Sequence, residues 1–207
     1  SIDIGNTGPD FANGYGSLDA LSAVEMLEKK NYYSSSIEHG QQQNNSFTIG
    51  ANTSEVKVML YWPDKPASLF ASSTLVNDLD LVITSPDGTI YRPLILNADP
   101  GSVLNTAIAG EDHSNNMEQV IIRNPIPGLY TVTVKGFLIP FGPQPYFVSY
   151  NILDKGLKLL SPLKKDSWKG GETQVIKWIE PGENPITYQV DFSTDGGLNW
   201  QTIGTTS

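Results

Sequence analysis

Hydrophobic and polar positions alternate through the middle of the chain. Val56, Val58, Leu60 and Trp62 are interleaved with Lys57, Met59 and Tyr61, and Leu79, Leu81 and Ile83 with Asp80, Val82 and Thr84. A period of two is the signature of strands with one buried face. Pro86-Asp87-Gly88 forms a turn before a further strand, Thr89–Arg92. Glu118–Arg123, the turn Pro125-Ile126-Pro127-Gly128 and Tyr130–Val134 continue the pattern, and a loop bearing Pro140, Pro143 and Pro145 leads into Tyr146–Leu153. Strands separated by Gly/Pro turns, with no helical period among them, predict a jelly-roll β-sandwich or barrel over residues 32–155.

The flanks differ. Residues 1–31 open with a glycine-rich coil (Gly5, Gly8, Gly14, Gly16) and then show a helical period, with Ala20, Ala23, Val24 and Leu27 on one stripe. The predicted helix runs from Leu18 to Lys30, with Ser17 as its N-cap, Asp19 at the positive end of its dipole and Lys29 and Lys30 at the negative end. One helix cannot bury its own stripe, so of the three outcomes (exposed, docked on a neighbour, or disordered) docking on a neighbouring chain is expected, because exposed apolar patches usually find a partner. Residues 156–207 return to β: Val175–Ile179, Ile186–Phe192 and Leu198–Ile203 read as strands, with Thr194-Asp195-Gly196-Gly197 as a turn. Roughly 50 residues bury little surface, and these strands make about half of an immunoglobulin-like sandwich. A small or incomplete second β-module is therefore predicted. The fold class is mainly β, with a single amphipathic helix in front.

Composition narrows the partners. The chain has 207 residues, with 13 Lys+Arg against 22 Asp+Glu for a formal charge of −9. That charge argues against nucleic acid, which calls for a basic surface, and against an anionic membrane. No stretch approaches the ~20 apolar residues of a membrane span. Charged residues at 17% and aromatics at 10% are inconsistent with a disordered acidic tail. The absence of cysteine removes disulfides, thiolate zinc sites and cysteine catalysis. Abundant Asn, Ser, Thr and Gly lean towards an extracellular protein. No signal peptide opens the chain, so it is expected to be a processed or internal piece.

Candidate chemistry is sparse. The two histidines, His39 and His113, lie in polar loops and read as solvated side chains. No Gly-x-Ser-x-Gly elbow or phosphate-cradling glycine loop occurs. Two separated histidines make a zinc site of His and Cys ligands improbable. Calcium fits better, because it takes 6–8 oxygen ligands. Asp78 and Asp80 share one face of a strand, opposite Leu79 and Leu81, and Asp112, Asn115 and Asn116 offer oxygens from a loop. The alternative is that these Asx residues cap turns. Of the four tryptophans, Trp62, Trp178 and Trp200 lie in or beside strands, where core packing is commoner than the exposed aromatic row of a carbohydrate-binding module.

The order of the motifs adds a resemblance. Gly8-Pro9-Asp10-Phe11 and Gly14-Tyr15-Gly16-Ser17-Leu18-Asp19-Ala20 resemble the end of a subtilisin-like serine protease domain, where a Gly-x-Gly turn opens the last helix. Asn77-Asp78-Leu79-Asp80-Leu81, Pro86-Asp87-Gly88, Asn115-Asn116-x-Glu118-x-Val120, Pro127-Gly128-x-Tyr130-x-Val132-x-Val134 and Gly142-Pro143-Gln144-Pro145 are similar to the C-terminal β-barrel of secreted alkaline subtilases. The resemblance spans residues 8–153. It implies a secreted or cell-surface endopeptidase whose Asp, His and Ser lie upstream of residue 1. His39-Gly40 is followed by Gln41, not Thr, so no catalytic residue transfers to this chain. The implied role is an accessory region that packs on the upstream catalytic domain, stabilises it and shapes substrate access. A glycan- or surface-binding module is the rival. The resemblance also implies calcium near Asp78, Asp80, Asp112 and Asn116. Ser193-x-Asp195-x-Gly197-x-x-Trp200 matches an Asp-box hairpin turn, in which Asp195 bonds backbone amides and Trp200 packs beneath.

Overall fold

The computed structural model describes residues 3–179 and 187–206. Among the described residues a single helix, α1 (Ala20–Glu28), precedes the strands β1 (Tyr32–Ile37), β2 (Gln42–Ile49), β3 (Thr53–Tyr61), β4 (Asp78–Thr84), β5 (Ile90–Tyr91), β6 (Leu94–Ile95), β7 (Ile108–Ala109), β8 (Met117–Arg123), β9 (Gly128–Leu138) and β10 (Gln144–Asp154). β11 (Lys158–Ser161), β12 (Lys177–Ile179), β13 (Tyr188–Phe192) and β14 (Gln201–Thr206) follow.

Two four-stranded antiparallel sheets carry the middle of the chain, ordered β1-β10-β3-β8 and β2-β9-β4-β5. The chain crosses from one sheet to the other at every step among these strands except β4 to β5. That alternation is the strand order of a jelly roll. The sheets stay open, so of the sandwich and barrel forms the structure adopts the sandwich.

The alternating residues meet between the sheets. Val56, Val58, Leu60, Val120, Ile122 and Val148 come from one side and Leu79, Leu81, Ile83, Val132 and Val134 from the other, all essentially excluded from solvent. Burial of a side chain of this size contributes roughly 1.5–3 kcal/mol, so this alternation is the main source of stability. Trp62 is fully buried, which obliges its indole N–H to find an acceptor; it donates to the Asn77 carbonyl at 2.8 Å.

β1 and β2 do not stand out in the hydrophobic pattern. They are the outer strands of the two sheets, and only Ile37, Phe47 and Ile49 of their residues are buried. Their Ser, Asn and Gln side chains keep the sheet edges wet, which discourages pairing with another chain.

α1 is shorter than its sequence period suggests. Asp19, not Ser17, is the N-cap, accepting the Ser22 amide at 3.0 Å. A carboxylate two residues further in captures the free N–H and sets the start of the helix. No residue of α1 is buried, and Leu21, Val24 and Leu27 stand in solvent. The coil before it is fastened to the sandwich: the Tyr15 hydroxyl donates to the Met117 carbonyl at 3.1 Å, and the Asn6 side-chain amide to the Leu104 carbonyl at 3.0 Å. Asp10 organises that coil by accepting the backbone amides of Ala12 and Asn13 at 2.8 and 2.6 Å.

Beyond the sandwich, β11 pairs with β12 and β13 with β14. The strands predicted there fall on β12, β13 and β14, apart from Ile186, which lies outside the described residues. No described residue from 156 onward is buried, so these hairpins enclose no core among the described residues. Asp195 accepts the Asn199 amide at 2.9 Å, as an Asp-box turn requires. Trp200, however, is 65% exposed and donates its indole N–H to Gly197. With no second sheet beneath it, the ring lies against the turn instead of in a core.

Candidate metal centre

Asp78 and Asp80 leave β4 on the face away from Leu79, Leu81 and Ile83. In an open sandwich that face meets water, yet their side chains are only 8% and 13% exposed. The segment before β8 and an irregularity in β9 cover them. Asp78 pairs with Leu138 and Leu79 with Gly136, so Phe137 is an extra residue in the ladder. A bulge of this kind re-aims a side chain. Here Phe137 stacks on the His113 imidazole, with ring centroids 4.4 Å apart.

His113 thereby lies over both carboxylates. Its Nδ1 is 2.8 Å from Asp78 Oδ2 and 3.8 Å from Asp80 Oδ1. On the outer side, Nε2 is 4.0 Å from Glu111 Oε2, and Lys135 Nζ is 3.8 Å from Asp80 Oδ2.

Below the pair lies Glu118, on the inward face of β8 and 1% exposed. β5 pairs only with Ile83 and Thr84 of β4, and the Leu81 N–H donates to Glu118 Oε2 at 2.6 Å. The side chain therefore links the two sheets. Burial pushes its carboxyl up to about 9; the Leu81 amide opposes this, while the charges of Asp80, Asp112 and Asp78 reinforce it. Burial likewise raises Asp78 to about 6, with His113 pulling down and Asp80 and Asp112 pushing up. Asp80 is raised too, chiefly by burial. Asp78 Oδ1, Asp80 Oδ1 and Glu118 Oε1 are buried and have no hydrogen-bond partner.

Of the four residues singled out for calcium, Asp78 and Asp80 are brought together. Asp112 is buried nearby, but its carboxylate accepts the backbone amides of Ser114 and Asn115 at 2.9 and 3.1 Å and the Asn115 side-chain amide at 2.8 Å. That is the turn-capping role open to it from sequence. The Asn116 side chain donates to the Trp62 carbonyl at 2.8 Å. His113 is the residue the sequence reading passed over. Its only signal was its place beside Asp112, in a loop whose position over β4 no local pattern reveals. Among the described residues, Asp78, Asp80 and His113 are the one group that could hold a metal ion, with ligand atoms within 4.8 Å of one another.

The motifs around this centre are structural. Asn77 is fully buried, and its Nδ2 donates to the Phe141 carbonyl at 3.0 Å and to Gln144 Oε1 at 2.6 Å. Its own N–H donates to Asp64 Oδ1 at 2.9 Å. Gln144 in turn donates to the Pro63 and Pro145 carbonyls. Asn77-Asp78-Leu79-Asp80 and Gly142-Pro143-Gln144-Pro145 thus meet in one hydrogen-bond network that closes the end of the sandwich.

No model of a known protein family matches the chain, and no curated protein matches it significantly.

Proposed function

We propose that the chain is a non-catalytic accessory region of a secreted subtilisin-like serine endopeptidase. It stabilises the catalytic domain and shapes access to its cleft. The observation that carries this reading is the split character of residues 3–31. Their polar groups are bonded to β8 of the sandwich through Tyr15, to the β6–β7 loop through Asn6 and to β11 through the Glu25–Lys158 ion pair at 2.8 Å, while Leu21, Val24 and Leu27 face solvent. A helix tied down on one side and apolar on the other suits the seam between a catalytic domain and its appendage. The ordered motifs of residues 8–153 support the same assignment.

Reading the coding sequence upstream of residue 1 tests it. A His-Gly-Thr and a Gly-Thr-Ser context are expected there, and this chain alone should fail to react with a serine-directed fluorophosphonate. An upstream sequence without those contexts, or labelling of the chain, overturns the assignment.

One observation favours a glycan-binding module instead. Tyr61 and Phe147 stack at 6.4 Å on the outward face of the first sheet and are 39% and 49% exposed. A glycan array separates the readings, because binding abolished by Tyr61→Ala belongs only to the second.

A further inference from the structure

We propose that Asp78, Asp80 and His113 form a site for a borderline divalent metal ion of the zinc(II) class, not for calcium. Three observations carry this. The first is geometric. Zinc binds imidazole nitrogen and carboxylate oxygen at about 2.0–2.2 Å, which sets tetrahedral ligand–ligand separations near 3.4 Å. The Nδ1 separations of 2.8 Å to Asp78 and 3.8 Å to Asp80 bracket that value. The third separation, between the two carboxylates, is within 4.8 Å, so the three donors already converge on one point.

The second is the unpartnered oxygens. A buried acceptor without a donor calls for an explanation. Among the described residues the buried side-chain oxygens in this state are Asp78 Oδ1, Asp80 Oδ1 and Glu118 Oε1. Two of the three belong to the proposed ligands, and Asp80 Oδ1 is the atom that faces His113. Asp78 is 6% exposed, so water does not serve it readily.

The third is the donor set. Imidazole suits zinc, copper, iron and nickel, whereas calcium takes oxygens only, six to eight of them. The Asp112 carboxylate is committed to the Ser114 and Asn115 amides. Two carboxylates remain, with a nitrogen between them. The surroundings also suit a ligating histidine. Phe137 fixes the plane of the ring, and the outer nitrogen faces Glu111, as metal-bound histidines commonly face a carboxylate. The His113 side chain is 40% exposed, which leaves an entry path and room for water as a further ligand.

The ion takes the place of the hydrogen between His113 Nδ1 and Asp78, and the ring hydrogen then resides on Nε2, towards Glu111. The ion pins the loop before β8 onto β4. The site stands apart from the protease assignment, so failure of either leaves the other intact.

The test uses the whole chain, freed of metal with EDTA and titrated with zinc chloride at pH 7.5 against a chromophoric chelator. One equivalent is expected with micromolar or tighter affinity, together with a higher melting temperature that millimolar calcium does not reproduce. His113→Asn and Asp80→Asn should each weaken zinc binding at least tenfold, while His39→Asn leaves it unchanged. His113 is surface-accessible, so its variant should melt like the parent in EDTA. If it does not, Asp80→Asn and cobalt(II) absorption from nitrogen–oxygen coordination decide. Absence of zinc binding, zinc binding indifferent to these two variants, or calcium binding tighter than zinc overturns the proposal.

Discussion

Replacing Glu118 by Gln probes what a carboxyl costs in the middle of this sandwich. Glu118 lies between the sheets with its pKa pushed from 4.5 up to about 9, chiefly by burial. The folded protein therefore prefers the neutral acid, and folding takes up a proton anywhere between those two values. The sign follows: the contribution is fully present below pH 4.5 and is lost as pH rises towards 9. Each pH unit is worth about 1.4 kcal/mol, so at pH 7.5 the acid has cost the fold on the order of 4 kcal/mol relative to pH 4.5. Gln carries no charge, and its carbonyl can keep the Leu81 N–H bond. Its NH2 group takes the place of Glu118 Oε1, which has no hydrogen-bond partner, and carries one N–H more than the neutral acid has O–H, a penalty of about 1–3 kcal/mol at every pH.

Glu118→Gln should therefore be less stable than the parent near pH 4.5 and more stable, by about 1–3 kcal/mol, at pH 7.5. At 2–4 °C per kcal/mol for a chain of this size, the gain is several degrees. Urea unfolding followed by the fluorescence of buried Trp62, in EDTA from pH 4.5 to 9, measures both effects. Asp78, raised from 3.8 to about 6 mainly by burial, contributes in the same sense but only below pH 6. The difference in slope between parent and variant above pH 6 therefore isolates Glu118. A variant that keeps the parental slope there would refute the reasoning, because the titrating group would lie elsewhere.

Three further outcomes follow from the packing. Asn77→Ala removes donors to Phe141 and Gln144 from a fully buried site and should cost about 3 kcal/mol or more by urea unfolding. Gly136→Ala places a Cβ against the Glu38 carbonyl oxygen and 2.7 Å from Ile139 Cδ1; a backbone atom cannot step aside, so a loss of about 1–3 kcal/mol is expected, read as a lower melting temperature. Val24→Lys together with Leu27→Lys should change the stability of the isolated chain by no more than about 0.5 kcal/mol, since both residues are already in solvent, and a larger drop would show that the face is covered.

The strands legible in the sequence are those that bury one face. β3, β4 and the first half of β9 follow the alternation closely, because one side of each lies on the core; β8 carries it only in Val120 and Ile122, and β10 in Tyr146 and Val148. β1 and β2 escape for the converse reason. As edge strands they contribute Ile37, Phe47 and Ile49 to the interior and expose runs such as Ser34-Ser35-Ser36 and Asn44-Asn45-Ser46, and such runs look like loop. Their place in the ladder is decided by β10 and β9, far along the chain. The start of α1 was misplaced by competition within one motif: Ser17 and Asp19 are both competent caps, and local sequence does not say which one the first amide will meet.

The candidate site shows a sharper limit. The strand period put Asp78 and Asp80 on one face, but it also put that face in water, where two carboxylates two residues apart are unremarkable. Their environment changes because β9 carries an extra residue at Phe137 and because the loop from Glu111 to Asn116 folds back over β4. The bulge has only a faint local signature, Gly136 ending the Thr/Val alternation before the unbroken apolar run Phe137-Leu138-Ile139, and the loop has none, since His113 sits in a run of Asp, Ser and Asn that reads as solvent-loving. A tertiary contact between a bulge and a loop turns two surface acids into buried ones, raises their pKa values, and hands them an imidazole. Glu118 follows the same logic from the other side. Glu118 precedes Gln119, so the pair reads as a polar strand start; only the register set by Val120 and Ile122 turns Glu118 inward, where it accepts the Leu81 N–H of the opposite sheet.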